Sequence, residues 1–242
     1  MKKGAVVFTS LALLLAFCIP AVAQPSNRAV ETIVIEKFDN DGANEWTWNV
    51  AASNYVDSEK GFPKLNYFEG QPNSLKYLNA SGESSPKVLG VKTSYLRKGE
   101  NWFEVYPEKE GKPYEIPLIG TVTQIDFWAW GANYLYKLDL LIRDADGRVY
   151  TLPATTMAYK GWKNIIVQIP SSIRQHSRLR SGPKSLTFVG FRVHTDPDEY
   201  VDDFNIFFDQ LKYTTNTLSD IYDGYDLSEA DFGNSASSES KE

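Results

Sequence analysis

Cysteine is almost missing from this chain: Cys18 is the only one in 242 residues. It sits inside an apolar run near the amino terminus, so the rest of the sequence can form no disulfide and must hold itself together by its core. A chain this long buries roughly 70% of its unfolded surface, which makes a core sufficient without staples. Histidine is nearly as scarce. His176 and His194 stand outside any Ser or Cys motif, so nucleophilic catalysis with a histidine base has nothing to work with. The same pair gives no zinc spacing, and His194 reads as a structural or surface residue. Basic charge is in deficit too, with 25 Lys and Arg against 31 Asp and Glu and a net charge of -6. Such a surface repels phosphate, which argues against nucleic acid as a partner.

Only one long apolar run is present, Ala5 to Ile19, preceded by Lys2 and Lys3 and followed by Pro20 and the small triplet Ala21, Val22, Ala23. Residues 1–23 therefore read as a secretory signal peptide, with Ala21, Ala23 and Gln24 flanking the expected cleavage. The run falls short of the roughly 18 apolar residues of a membrane span, which makes an anchor the lesser reading. A lipid-modified Cys18 is a further alternative, although Phe17 is bulkier than the small residue such a site takes. The expectation is an exported, periplasmic chain without a membrane anchor.

Aromatic residues are plentiful, at 14% of the chain, and the patterning has a period of two. From Tyr134 to Arg143 one face carries Tyr134, Tyr136, Leu138, Leu140 and Ile142. Asp144 to Gly147 then reads as a turn and Arg148 to Leu152 as the returning arm of a hairpin. Gly161 to Pro170 alternates as well, and Leu186 to His194 predicts a strand with Val189, Phe191 and Val193 inward. Asp202 to Tyr213 has apolar residues on both faces, as a central strand has. Glu31 to Phe38 and Thr121 to Trp130 add two more. Gly61 to Pro72 and Asn79 to Gly90 read as surface loops, and only Ser171 to Arg180 offers a helical turn or two.

Many short strands without a βαβ rhythm predict an all-β fold, an antiparallel β-sandwich of jelly-roll type like that of carbohydrate-binding modules, with little helix. The predicted organisation is one domain over 24–218. Residues 219–242, with seven carboxylates against one lysine, form an acidic, flexible tail. No catalytic, metal or cofactor site emerges. The carboxylates of "HTDPDEYVDD" read as a solvated loop, and Asp144 to Gly147 lacks the ligands of a calcium loop. The candidate functional residues are aromatic: Trp128, Trp130, Tyr134, Tyr136 and Trp162, read either as a second apolar layer or as a contact surface for a partner or a glycan.

The strings "DFWAWGANYLYKLDLLIRDADGRVYTLP", "YKGWKNIIVQIPSSIRQ", "LTFVGFRVHTDPDEYVDDFNIFFDQLKY" and "IYDGYDL" together resemble the spirochaetal flagellar filament outer-layer, or sheath, protein A family, over about residues 119 to 228. The resemblance implies a non-enzymatic structural protein, most like a short second sheath paralogue. It would coat the flagellin core of a periplasmic flagellum and help set filament stiffness, coiling and motility. It implies as partners the flagellin core subunits, with their glycans as a further candidate contact, and other sheath proteins. The alternative is a secreted carbohydrate-binding β-sandwich module, since "GWKNIIVQIP" and the acidic loop before a last strand also look like pieces of sugar binders.

Overall fold

The computed structural model describes residues 30–40, 42–79, 85–96, 99–177 and 185–216. The expected signal peptide, its cleavage flank and the acidic tail lie outside these. The described strands are β1 (Val30–Glu36), β2 (Thr47–Ala52), β3 (Lys64–Glu69), β4 (Lys87–Thr93), β5 (Trp102–Lys109), β6 (Lys112–Pro113), β7 (Ile116–Pro117), β8 (Thr121–Ala132), β9 (Lys137–Arg143), β10 (Val149–Thr156), β11 (Lys160–Gln168), β12 (Thr187–His194) and β13 (Phe204–Asn216). They form two antiparallel sheets. The first runs β11-β8-β13-β4-β3, with β1 also on β13; the second runs β10-β9-β12-β5-β2, with β6 on β5 and β7 on β12. The fold is an all-β sandwich, and helix among the described residues is limited to 3₁₀ turns at Ser58–Lys60 and Asn73–Asn79.

The sheets meet through rings. Phe191 of the second sheet stacks on Phe208 at 4.5 Å between centroids and tilts against Phe127 at 4.7 Å, both from the first sheet. Ile125, Phe127 and Ala129 of β8 and Leu138, Leu140 and Ile142 of β9 are wholly buried in this layer, as period-two alternation requires.

Two bulges set the pattern of the long strands. In β13 the inward set Phe204, Ile206, Phe208 changes phase to Leu211 and Tyr213, because an irregularity between Asp209 and Lys212 inserts a residue. Gln210 takes φ +49° there. In β12 the register shifts between Phe188 and Gly190. Phe188 is thereby buried with Phe191 and Val193, and Val189, expected inward, becomes the extra, half-buried residue.

Other expectations are corrected. Gly61 to Pro72 holds strand β3 rather than a loop throughout, with Leu65 and Tyr67 packed on the core and Lys64, Asn66 and Phe68 facing out. Strand β4 begins at Lys87, inside the second expected loop. The described part of Ser171 to Arg180 is a turn with a bridge between His176 and Ser185, not helix. Strand β9 starts at Lys137, since the chain turns at Asn133 with φ +67°.

Candidate contact surface

Residues paired across a sheet point to the same face, so the register reads out the outer surface of the first sheet row by row. One row is Asn66, Gly90, Phe207, Trp130 and Trp162, from β3 to β11. Four strand spacings make it roughly 19 Å long. Phe207 packs edge-on against Trp130 at 5.4 Å and against Phe68 at 5.7 Å. Gly90 makes room for this: a Cβ there would lie 2.7 Å from ring carbons of both Phe68 and Phe207. The rings thus lean over β4. Between them lies a groove of about 210 Å³, floored by Gly90 and the two rings and rimmed by Lys64, Lys92 and Asn205.

The neighbouring row toward the sandwich end is basic. Lys64 pairs in register with Lys92, Lys92 with Asn205, and Lys160 with Ala132. Within it Lys92 is already paired, its ammonium 2.7 Å from Asp203, and this hydrogen bond holds the Asp203 carboxyl below its usual range. On the other side of the aromatic row lie Asn164, Trp128 and Asp209. Trp128 Nε1 and Asn164 Oδ1 are buried and find no hydrogen-bond partner among the described residues, an arrangement that a water or a polar partner group would satisfy. Asp209 is only 3% exposed, and desolvation pushes its carboxyl up to about 7. Beyond it Asp126 is paired with Lys212 at 3.2 Å, and a hydroxyl and amide ladder of Thr32, Thr214, Gln124 and Gln168 follows.

The five aromatics singled out in the sequence therefore part company. Trp128, Trp130 and Trp162 share this outer face, partly buried. Tyr136 is 0% exposed, stacks on Phe204 at 4.4 Å and donates its hydroxyl to the Tyr200 carbonyl, which makes it core. Tyr134 packs edge-on against Tyr136 and Phe204 and donates to the Asp202 carbonyl, so it buttresses the acidic loop. Phe68 and Phe207 join the tryptophans instead. Alternation could have found Phe207, whose neighbours Ile206 and Phe208 face inward; Phe68 was hidden in a stretch read as loop.

The acidic loop after β12 crosses the end of the sandwich. Glu199 accepts the amides of Leu135 and Tyr200, while Tyr200 itself is 76% exposed. His194 lies 3.4 Å from Asp139, and His176 is far along the chain beside the Thr121 hydroxyl at 3.1 Å. Among the described residues no group of three or more His, Cys, Asp or Glu could hold a metal ion. In the β9–β10 turn Asp144 accepts the amides of Asp146 and Arg148. No described helix is long and apolar enough to cross a membrane.

Several known proteins are similar. A structure from work on the promiscuous specificity of β-sandwich carbohydrate-binding modules aligns over 74% of this chain and 61% of its own, at 13% identity and a TM-score of 0.43. A variant of a family 29 carbohydrate-binding module aligns over 80% of this chain and 97% of its own, at 9% identity and 0.41. In sequence, a putative flagellar filament outer layer-like protein of Brachyspira hyodysenteriae is 31% identical over 140 residues, 58% of this chain. The match spans 62% of that relative's length. The model of the flagellar filament outer layer protein family, FlaA, matches residues 26–223, every described strand included. The chain belongs to the FlaA family of flagellar filament outer layer proteins.

Proposed function

We propose that this chain is a non-catalytic structural subunit of the outer layer of a periplasmic flagellar filament. It coats the flagellin core there, beside other sheath proteins. The observation that carries the reading is the family match over the whole sandwich. The outer face of the first sheet supports it, with its row of rings and two buried polar atoms that find no partner among the described residues. The contact to the core is assigned to the β8–β11 side of that face, through Trp128, Trp130 and Trp162. A coat works through many modest contacts on a repeating lattice, which add through multivalency. Material added away from the filament axis resists bending most, so the coat sets stiffness and coiling, and through them motility.

Electron microscopy and mass spectrometry of periplasmic filaments test this directly. The chain should be found on the filaments, and its deletion should leave a flagellin core that is thinner or less coiled, with altered swimming. Filaments of normal diameter and curvature in a clean deletion would sink the proposal. A second reading, a secreted carbohydrate-binding module, draws on the exposed rings beside the Asn66 and Asn205 amides. It expects unchanged filaments and a purified protein that binds free polysaccharide.

A further inference from the structure

We propose that the groove between Phe68 and Phe207, with the basic row beside it, receives Tyr200 from the acidic loop of a second copy of this chain. The inference rests on the proposed role as a repeated subunit and names the contact between neighbours.

Size comes first. Pockets for small ligands usually run to roughly 300–1,000 Å³, whereas this one holds about 210 Å³, enough for one anchoring side chain rather than an oligosaccharide. Its floor is apolar, made by two rings that only a glycine at position 90 lets approach. Interfaces commonly place a single aromatic anchor in such a pocket.

Charge selects the anchor. The described residues present two tyrosines that are more than 70% exposed, Tyr77 at 72% and Tyr200 at 76%. Tyr77 follows Lys76, whose charge matches that of Lys64 and Lys92 at the rim, where Lys92 already carries Asp203, and that of Lys160 two strands beyond that rim along the same row. Tyr200 is flanked by Asp198, Glu199 and Asp202, so its approach brings carboxylates to ammonium groups in a chain that is otherwise acidic.

The groove of the same molecule is out of reach. The Tyr200 carbonyl is held by the Tyr136 hydroxyl at 2.8 Å and the Val201 carbonyl by the Tyr95 amide at 3.0 Å, which pins the loop across the sandwich end with the Tyr200 ring in solvent. The anchor thus sits on the end of the molecule and the pocket on a face. A contact between two different patches is heterologous, and when its rotation does not close it repeats without limit. That is the geometry a filament coat needs.

Sedimentation velocity of the purified chain at low salt tests the contact. The sedimentation coefficient should climb with concentration past a dimer, and added salt should reduce the association. Tyr200→Ala should raise the concentration needed at least tenfold. The pair Lys64→Glu and Lys160→Glu should do the same, and adding Asp198→Lys and Asp202→Lys to that pair should restore assembly. All these positions are exposed, so unchanged circular dichroism is expected throughout. A chain that stays monomeric, stops at a closed dimer, ignores Tyr200→Ala or is not rescued by the charge exchange would overturn the proposal. The readout needs no filament: a chain missing from filaments would remove the proposed role, while this contact would still stand or fall on sedimentation.

Discussion

Replacing Asp209 by asparagine should remove a pH dependence built into the folded protein. Asp209 lies beside Trp128 on the outer face, 3% exposed, with its carboxyl pushed up to about 7 chiefly by burial and also by the Asp39 carboxylate. In the unfolded chain an aspartate titrates near 3.9. Between these values the folded protein holds a proton that the unfolded chain has released. The stability this group confers is therefore complete below about pH 4 and is lost as pH rises through about 7. Three pKa units at 1.36 kcal/mol each give about 4 kcal/mol as the upper size of the effect. That is a large share of the 5–15 kcal/mol by which domains are usually stable. Urea unfolding of the native and Asp209→Asn proteins at intervals from pH 5 to 8.5 would measure it. The native protein should lose stability across this range relative to the variant, and the variant should be the more stable of the two at pH 8. Parallel curves differing by less than about 0.5 kcal/mol throughout would mean that the carboxylate finds enough solvation when charged, and the reasoning would fail.

The remaining expectations separate core from contact. Tyr136→Ala removes a wholly buried ring and should cost about 3–5 kcal/mol in denaturant unfolding; a cost below about 1 kcal/mol would contradict its placement. Trp130→Ala should weaken filament association by about 2 kcal/mol while the strand signal in circular dichroism is kept, and a protein that unfolds instead would show the ring to be purely structural. Gly90→Ala should cost about 1–3 kcal/mol, because the rings of both Phe68 and Phe207 must shift off a Cβ at 2.7 Å, and it should fill the groove and reduce self-association; unaltered sedimentation would count against the groove. Export itself is tested by amino-terminal sequencing, which should begin at Gln24 and not at a lipid-modified Cys18.

The sandwich was legible wherever alternation was clean. Ile125, Phe127 and Ala129, and likewise Leu138, Leu140 and Ile142, fell on the inward face as their spacing predicts. It was less legible where a bulge resets the phase, since a strict period of two carries Val189 inward and leaves Phe188 out. Strand β3 went unseen because lysine and asparagine, residues with little preference for strands, hold two of its outward positions, Lys64 and Asn66. The site suffered most from this. Trp128, Trp130 and Trp162 could be assigned to one face from β8 and β11 alone, but the groove needs Gly90 and Phe68 from two strands hidden in apparent loops. Tyr134 and Tyr136 looked like continuations of the same aromatic run, yet the turn at Asn133 carries the chain out of the first sheet toward β9 of the second, and both rings pack back on Phe204 of β13 in the first. The polar stretch between Trp130 and Tyr134 marks a turn in the sequence, with Gly131 and Asn133 in it, but it does not show that the chain changes sheets there.

The long strand β13 is flanked on one side by β8 and on the other by β4 and then β1. The first described strand and the last are thus neighbours, and the first sheet has no middle until residues 204–216 are in place. An amino-terminal fragment that stops short of β13 holds β1, β4 and β8 as three pieces not paired with one another. Closing the longest loop in the chain is then the step on which the rest depends, and folds dominated by such distant pairings form slowly. For a chain exported as the amino-terminal run predicts, this strand order would keep the first sheet open until β13, the last described strand, has emerged.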